Sequence, residues 1–347
     1  MDIVFSIYPE PLFFYEGEMV KVAVYNRIYT KEKWEQVNKY NKNLMEDYLM
    51  ELKSQKKSQG TIDQYRNDLR IMFIYILEEL NNKEIYKLKK KHFRNYLMWL
   101  SDKGMSNARV NRLMSALRSM LTYASDEEDY EDELEINYAQ KVRGLQKEKV
   151  REIIFLTDEE IEYIYSRLIE KGKYQQALFI ALMYDSAGRR NECYQVEKDF
   201  AEKDPNFTNV VTGKRNKKFR LLYRARTKQA YELLMQHRND DCDALWTTKQ
   251  DGEVVPASYE TLYAWVIAWR KILAEKFEPK EFNPHSFRHS ALENYGDGTH
   301  YVCREHLGGK KLEIEQLKIL AHHEDVSTTM SYLRDKGEDE LLNAFGI

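Results

Sequence analysis

The chain is poor in cysteine. Its three cysteines, Cys193, Cys242 and Cys303, are odd in number, far apart in 347 residues and free of any Cys-x-x-Cys spacing. That argues against a disulfide framework and a thiolate metal site, and it fits a reducing, intracellular setting. No run approaches the roughly 20 apolar residues of a membrane span, and the opening MDIVFSIYPEPLFF lacks the basic start and continuous apolar core of a signal peptide. A soluble protein is expected. There is no glycine-rich phosphate loop, no internal repeat and no low-complexity tract beyond one acidic segment. A dominant sign of charge is also missing, because 54 Lys and Arg against 57 Asp and Glu leave a net of −3. Where the charges lie therefore matters more than their sum.

What is present is enough chain for two domains, each able to bury its own core. Residues 1–30 carry prolines at 9 and 11 and the alternation Val20, Val22, Val24, which predicts one or two short strands forming a strap or arm. Residues 31–142 form a helical domain in which four segments, beginning at WEQVNKY, TIDQYRN, KKHFRNY and SNARVNR, repeat apolar residues at helical spacing. Residues 51–125 hold fifteen Lys and Arg against seven Asp and Glu, a net of +8 that includes Lys87, Lys89, Lys90, Lys91 and Arg94. The sign then reverses, with eight carboxylates in residues 126–135, expected as a solvated loop or helix end. Residues 143–155 have the composition of a basic linker. Residues 156–347 start afresh at Thr157 and Glu160, which have capping-box spacing. Helices, one antiparallel hairpin (TNVVTG and FRLLY) and further helices follow, so no parallel sheet is expected.

Four segments offer chemistry. In NPHSFRHSALENY, Pro284 and Asn283 start a helix on which His285, Arg288 and His289 share one face. Two histidines at i and i+4 can bind zinc, but Ser286 stands where a metalloprotease needs glutamate, and Arg288 would set a cation beside the metal. An anionic substrate suits that face better. DSAGRRNECYQV places Arg189 at a helix start with Glu192 three positions on, and VVTGKRNKKFRLLY puts Lys214, Arg215, Lys217 and Lys218 at a hairpin tip suited to phosphate. LAHHEDVSTTMSYL contains His322, His323 and, nine residues after the second, Tyr332. Asp325 or Ser327 is expected to cap a short helix with Tyr332 in its second turn and Thr328 on the same face. A phenol is a weak nucleophile unless cations and a base surround it, and these segments supply both.

In their order and spacing these motifs resemble the tyrosine recombinase (phage integrase) family, over residues 31–347. Arg189 to Glu192 resembles its Arg-x-x-Glu segment, Lys214 its hairpin lysine, HSFR its His-x-x-Arg, and His323 to Tyr332, with VSTT between, its last histidine and nucleophile. The resemblance implies a mainly α fold with a small antiparallel β-sheet, its helical core-binding bundle and catalytic domain closing as a C-shaped clamp on double-stranded DNA. Tyr332 would form a 3′-phosphotyrosine, Arg189 and Arg288 would hold the nonbridging oxygens, and Lys214 would protonate the leaving 5′-oxygen. His285 would assist proton transfer and His323 would hydrogen-bond the phosphate. No metal or nucleotide cofactor is implied. Lys87, Lys89, Lys90, Lys91, Arg94, Arg109, Arg112, Arg215 and Lys217 become candidates for the DNA backbone. Self-association to a dimer or tetramer on DNA is implied, with Leu341, Leu342, Phe345 and Ile347 of the tail available for docking, as is a cytoplasmic, nucleoid-associated protein of prophage or mobile-element origin. Departures are Ala321 and His322, where the family has leucine and glycine, and the 35 residues from Arg288 to His323, which include GDGTHYVCREHLGGKKLE as extra material. Spacing to Tyr332 favours His323 over His322 as the phosphate-facing ring. The rival function is a recombinase-fold protein that only binds DNA, for example a phage repressor.

Overall fold

The computed structural model describes residues 12–15, 18–21, 24–146, 148 and 153–333. The chain divides into two compact units, Met1–Arg151 and Glu152–Ile347. In the first, β1 (Leu12–Tyr15) and β2 (Glu18–Lys21) pair antiparallel, and α1 (Val24–Ile28) follows. Val24 thus opens a helix instead of prolonging the strand alternation. The bundle comprises α2 (Lys31–Gln36), α3 (Lys39–Ser54), α4 (Gln59–Glu79), α5 (Lys90–Asp102) and α6 (Asn107–Asp126). Thr30, Asn38, Ser58 and Ser106 each cap the helix that follows by accepting an N–H three residues on. Leu44, Met45, Phe73, Ile74, Tyr96, Met114 and Met120 lie in its core.

The stretch from Trp34 to Leu52 reads as a single helix by periodicity but is two. Asn38 leaves the helical ladder because its Oδ1 accepts from Asn41 N at 2.9 Å while its Nδ2 donates to Asn82 O at 2.8 Å. The acidic segment after α6 is not simply solvated. Tyr130 and Leu134 are buried in the bundle, and the Tyr130 hydroxyl donates to Asp47. The chain beyond is held too, because the Asn111 amide pairs with both the N–H and the carbonyl of Leu145, at 2.8 and 2.9 Å.

The second unit is built around α8 (Tyr174–Ser186), whose residues from Ala177 onward are all buried. Before it runs α7 (Asp158–Glu170), with the expected Thr157–Glu160 capping box. After it come α9 (Arg190–Tyr194), α10 (Phe200–Lys203), the hairpin β3 (Phe207–Thr212) and β4 (Lys218–Leu222), and α11 (Ala225–His237). A second hairpin, β5 (Thr247–Gln250) and β6 (Glu253–Pro256), corrects the expectation of helices only from this point. Its turn is Asp251-Gly252, both at positive φ (51° and 89°), a dipeptide suited to a two-residue hairpin. The remaining helices are α12 (Tyr259–Leu273), α13 (Pro284–Asp297), α14 (Tyr301–His306), α15 (Ile314–Leu320) and α16 (Val326–Met330). Helices α7, α11 and α13 pack on α8. The fold is mainly α with small antiparallel sheets, and among the described residues every strand pair is antiparallel. No described helix is long and apolar enough to cross a membrane.

The extra material between Arg288 and His323 is part of this core. Tyr301 donates from its N–H to Asp158 at 3.0 Å and from its hydroxyl to buried Asp185 at 2.8 Å, and Arg304 pairs with Asp158 at 2.8 Å. The His300 ring is stacked between Tyr184 and Tyr295, with centroids 4.0 and 3.7 Å away.

Candidate active site

The α8 helix ends at Ala187, whose left-handed φ of 50° turns the chain so that Arg189 becomes the N-cap of α9. Glu192, only 1 % exposed, accepts from the Arg189 backbone N–H and from its Nη1, both at 2.8 Å. Burial opposes the Arg189 charge, but the Glu192 carboxylate and the Tyr332 phenol together outweigh it and the pKa is raised. The guanidinium remains partly exposed.

Arg288 has the opposite setting. It is fully buried on α13 beneath this turn, Nη1 donating to Ala187 O at 2.5 Å and Nη2 to Ala321 O at 2.6 Å. Nη2 also lies 2.8 Å from His323 Nε2. Because a guanidinium only donates, His323 Nε2 accepts, so Nδ1 carries the proton and donates to Thr329 Oγ1 at 3.0 Å. Burial first, and the Arg288 and Arg189 charges next, push the His323 pKa down to about 3, in keeping with this neutral tautomer. Burial and the neighbouring Arg189 lower Arg288 to about 10, which leaves it charged at neutral pH. Nη1 and Nη2 each donate to a carbonyl, while Nε–H has no hydrogen-bond partner among the described residues.

Tyr332 lies just beyond the five-residue α16, not in a second helical turn as expected. Asp325 occupies the N-cap position without a side-chain bond, and the helix stops at Met330. The turn is closed by Tyr332 N donating to Thr329 O at 2.9 Å. Four groups surround the half-buried ring, namely His289 (4.3 Å, stacked), His323 (5.0 Å), His285 (5.2 Å) and the Arg288 Cζ (5.3 Å). The Tyr332 side chain interacts with both Arg189 and Arg288. His285 is on the outer side, held down to about 4 by desolvation and by the cations around it.

Opposite Tyr332 stands the β3–β4 hairpin tip. Together they line a cleft of about 240 Å³ containing Arg189, Lys214, Arg215, Lys217, His322, His323 and Thr328. Three contacts hold the tip: Arg215 to Glu324 at 2.8 Å, Lys217 Nζ to His322 O at 3.3 Å, and the Phe219 ring stacked on His322 at 3.8 Å. His322 has a φ of +53°, the left-handed region that favours glycine.

Arg189, Lys214, His323 and Tyr332 therefore share one cleft, with Arg288 beneath it and His285 against the far side of the tyrosine ring. A cleft lined by cations, with a phenol at its edge, suits a phosphoryl group. The metal reading of His285 and His289 gains no support, since both rings face Tyr332 and the described residues include no cluster of three or more His, Cys, Asp or Glu that could hold a metal. Of the basic candidates in the first unit, Lys90, Lys91 and Arg94 are exposed, Lys87 pairs with Glu84, Lys89 lies over the Tyr138 ring, and Arg109 and Arg112 pair with buried Asp68. The tail residues Leu341, Leu342, Phe345 and Ile347 lie outside the described residues.

Residues 154–338 match the phage integrase family, and residues 45–128 match the phage integrase N-terminal SAM-like domain. The chain belongs to the phage integrase family of tyrosine recombinases. Its class of function is accordingly site-specific recombination. Over 326 residues it is 26% identical to the SPbeta prophage-derived recombinase-like protein YomM of Bacillus subtilis (strain 168), covering 90% of this chain and 92% of that one. Among solved structures, a lambda integrase tetramer bound to a Holliday junction shares the fold at a TM-score of 0.64, with 16% identity over 85% of this chain and 77% of that one. The Tn1549 transposon integrase in complex with a circular intermediate DNA does so at 0.55, with 15% identity over 84% and 95%. Within the family site, sequence reasoning overlooked Thr329 as the partner of His323, although it stands in the quoted VSTT run, and Phe219 as the platform for His322.

Proposed function

We propose that this phage integrase family member cleaves and rejoins double-stranded DNA through a 3′-phosphotyrosine at Tyr332. The observation that carries the proposal is the convergence of Arg189, Arg288, His285 and His323 on the Tyr332 ring, with Lys214 on the facing hairpin. Tyr332 Oη attacks the scissile phosphorus, the P–O5′ bond breaks, and Lys214 gives the departing 5′-oxygen its proton. His285 takes up the phenol proton. Arg189 and Arg288 hold the nonbridging oxygens, Arg288 exchanging a carbonyl partner for phosphate, and His323 turns its ring to the same group. Ligation is the reverse, a 5′-hydroxyl displacing Tyr332, so the bond energy is kept in the phosphotyrosine.

Both units contribute to DNA binding, with residues 31–142 as the core-binding part, 143–155 as linker and 156–347 as the catalytic part. The basic residues of α5 and the hairpin tip contact backbone phosphates, so affinity falls steeply with salt. Lambda integrase, seen as a dimer on a core site and a tetramer on a Holliday junction, is the precedent for self-association on DNA. The test is a nicked duplex selected from a randomised pool by binding to the protein, followed by a denaturing gel. Wild type forms a covalent adduct and Tyr332→Phe forms none. Salt-sensitive binding with no adduct from wild type would instead make the protein a DNA-binding regulator.

A further inference from the structure

The short helix α16 ends before Tyr332. What fixes the tyrosine from outside its own segment is His289, one residue past Arg288 on α13. The His289 ring stacks on the phenol ring at 4.3 Å and 23°, and its Nδ1 lies 3.1 Å from the Tyr332 carbonyl oxygen. A carbonyl only accepts, so Nδ1 carries the proton and donates. No other ring around the phenol also has a hydrogen bond to the Tyr332 main chain among those described: His323 is engaged by Arg288 and Thr329, and His285 meets the ring edge-on. His289 is itself held in place, being 8 % exposed, with Phe155 edge-on against it at 6.0 Å and His285 at 4.7 Å.

We infer that His289 is a positioning residue for the nucleophile, setting the place of the Tyr332 backbone through its Nδ1–H. This rests on the reading of Tyr332 as the nucleophile. His289 takes no part in proton transfer, and no atom of it needs to touch the DNA. Because a displacement of about 1 Å at a reacting group can cost about a hundredfold in rate, loss of the tether acts on the cleavage step and not on binding.

The experiment measures single-turnover adduct formation by the full chain on the selected nicked duplex, as a function of duplex concentration. His289→Phe retains a stacking ring but no donor, His289→Asn puts an amide N–H near the place of Nδ1, and His289→Gln puts one near Nε2. The limiting rate is expected to fall roughly ten- to a hundredfold in His289→Phe and His289→Gln and to recover to within about threefold of wild type in His289→Asn, with half-saturation moved by no more than about twofold. Should His289→Phe not fold, the Asn and Gln variants decide. Equal rates for those two, a wild-type rate in His289→Phe, or rate and half-saturation worsening together would overturn the inference. An inert wild type would instead overturn the nucleophile reading, and this inference with it.

Discussion

Arg288 donates from Nη2 to Nε2 of His323 at 2.8 Å, which fixes His323 as a neutral ring with its proton on the Thr329 side. The pair ties the two ends of the site together across 35 residues of sequence, and its charge state has consequences for pH.

An unfolded chain protonates His323 below about pH 6.5, whereas the folded protein resists until near its depressed value of about 3. The stability contributed by the neutral ring is complete above about pH 6.5 and is lost as the pH falls toward 3. Urea midpoints measured between pH 7 and 4.5 should fall in wild type and fall less in His323→Gln. Parallel pH profiles would mean that His323 is not held neutral.

Asp158 is buried and takes the Tyr184 hydroxyl at 2.9 Å, the Tyr301 N–H at 3.0 Å and the Arg304 guanidinium at 2.8 Å. Asp158→Ala removes the partner of a largely buried cluster and should cost about 3–5 kcal/mol, read from urea unfolding. A loss below about 1 kcal/mol, the scale of an exposed pair, would show that residues 298–312 are not anchored in this way.

Gly213 sits where the hairpin meets the cleft, and a Cβ there would lie 2.6 Å from Phe219 Cε1 and 3.3 Å from Glu192 Oε1. Gly213→Ala is expected to push Phe219 off the His322 ring and slow adduct formation by roughly ten- to a hundredfold, with the circular dichroism of the helices unchanged. A wild-type rate would show that the hairpin tip needs no fixed place on the 322–325 loop.

The spacing of Arg189, Lys214, His285, Arg288, His323 and Tyr332 was legible because each stands in a local motif. The helical periods were equally plain, apart from the break at Asn38, whose cause is an amide partner at Asn82 far along the chain. The Asp251-Gly252 hairpin was readable from its turn dipeptide and was overlooked. Other features had no local signal. Tyr301 and Arg304 anchor to Asp158 and Asp185 more than a hundred residues earlier, and Tyr130 and Leu134 are buried from within a run of carboxylates. The left-handed backbone of His322 and its stack on Phe219 likewise depend on the β3–β4 hairpin, about a hundred residues earlier.

The most direct test is to digest the covalent complex with protease and nuclease and locate the nucleotide by mass spectrometry. Attachment through a 3′-phosphate to the peptide carrying Tyr332, with a free 5′-hydroxyl on the released strand, is predicted. Attachment to any other residue, or a 5′-phosphate link, would contradict it.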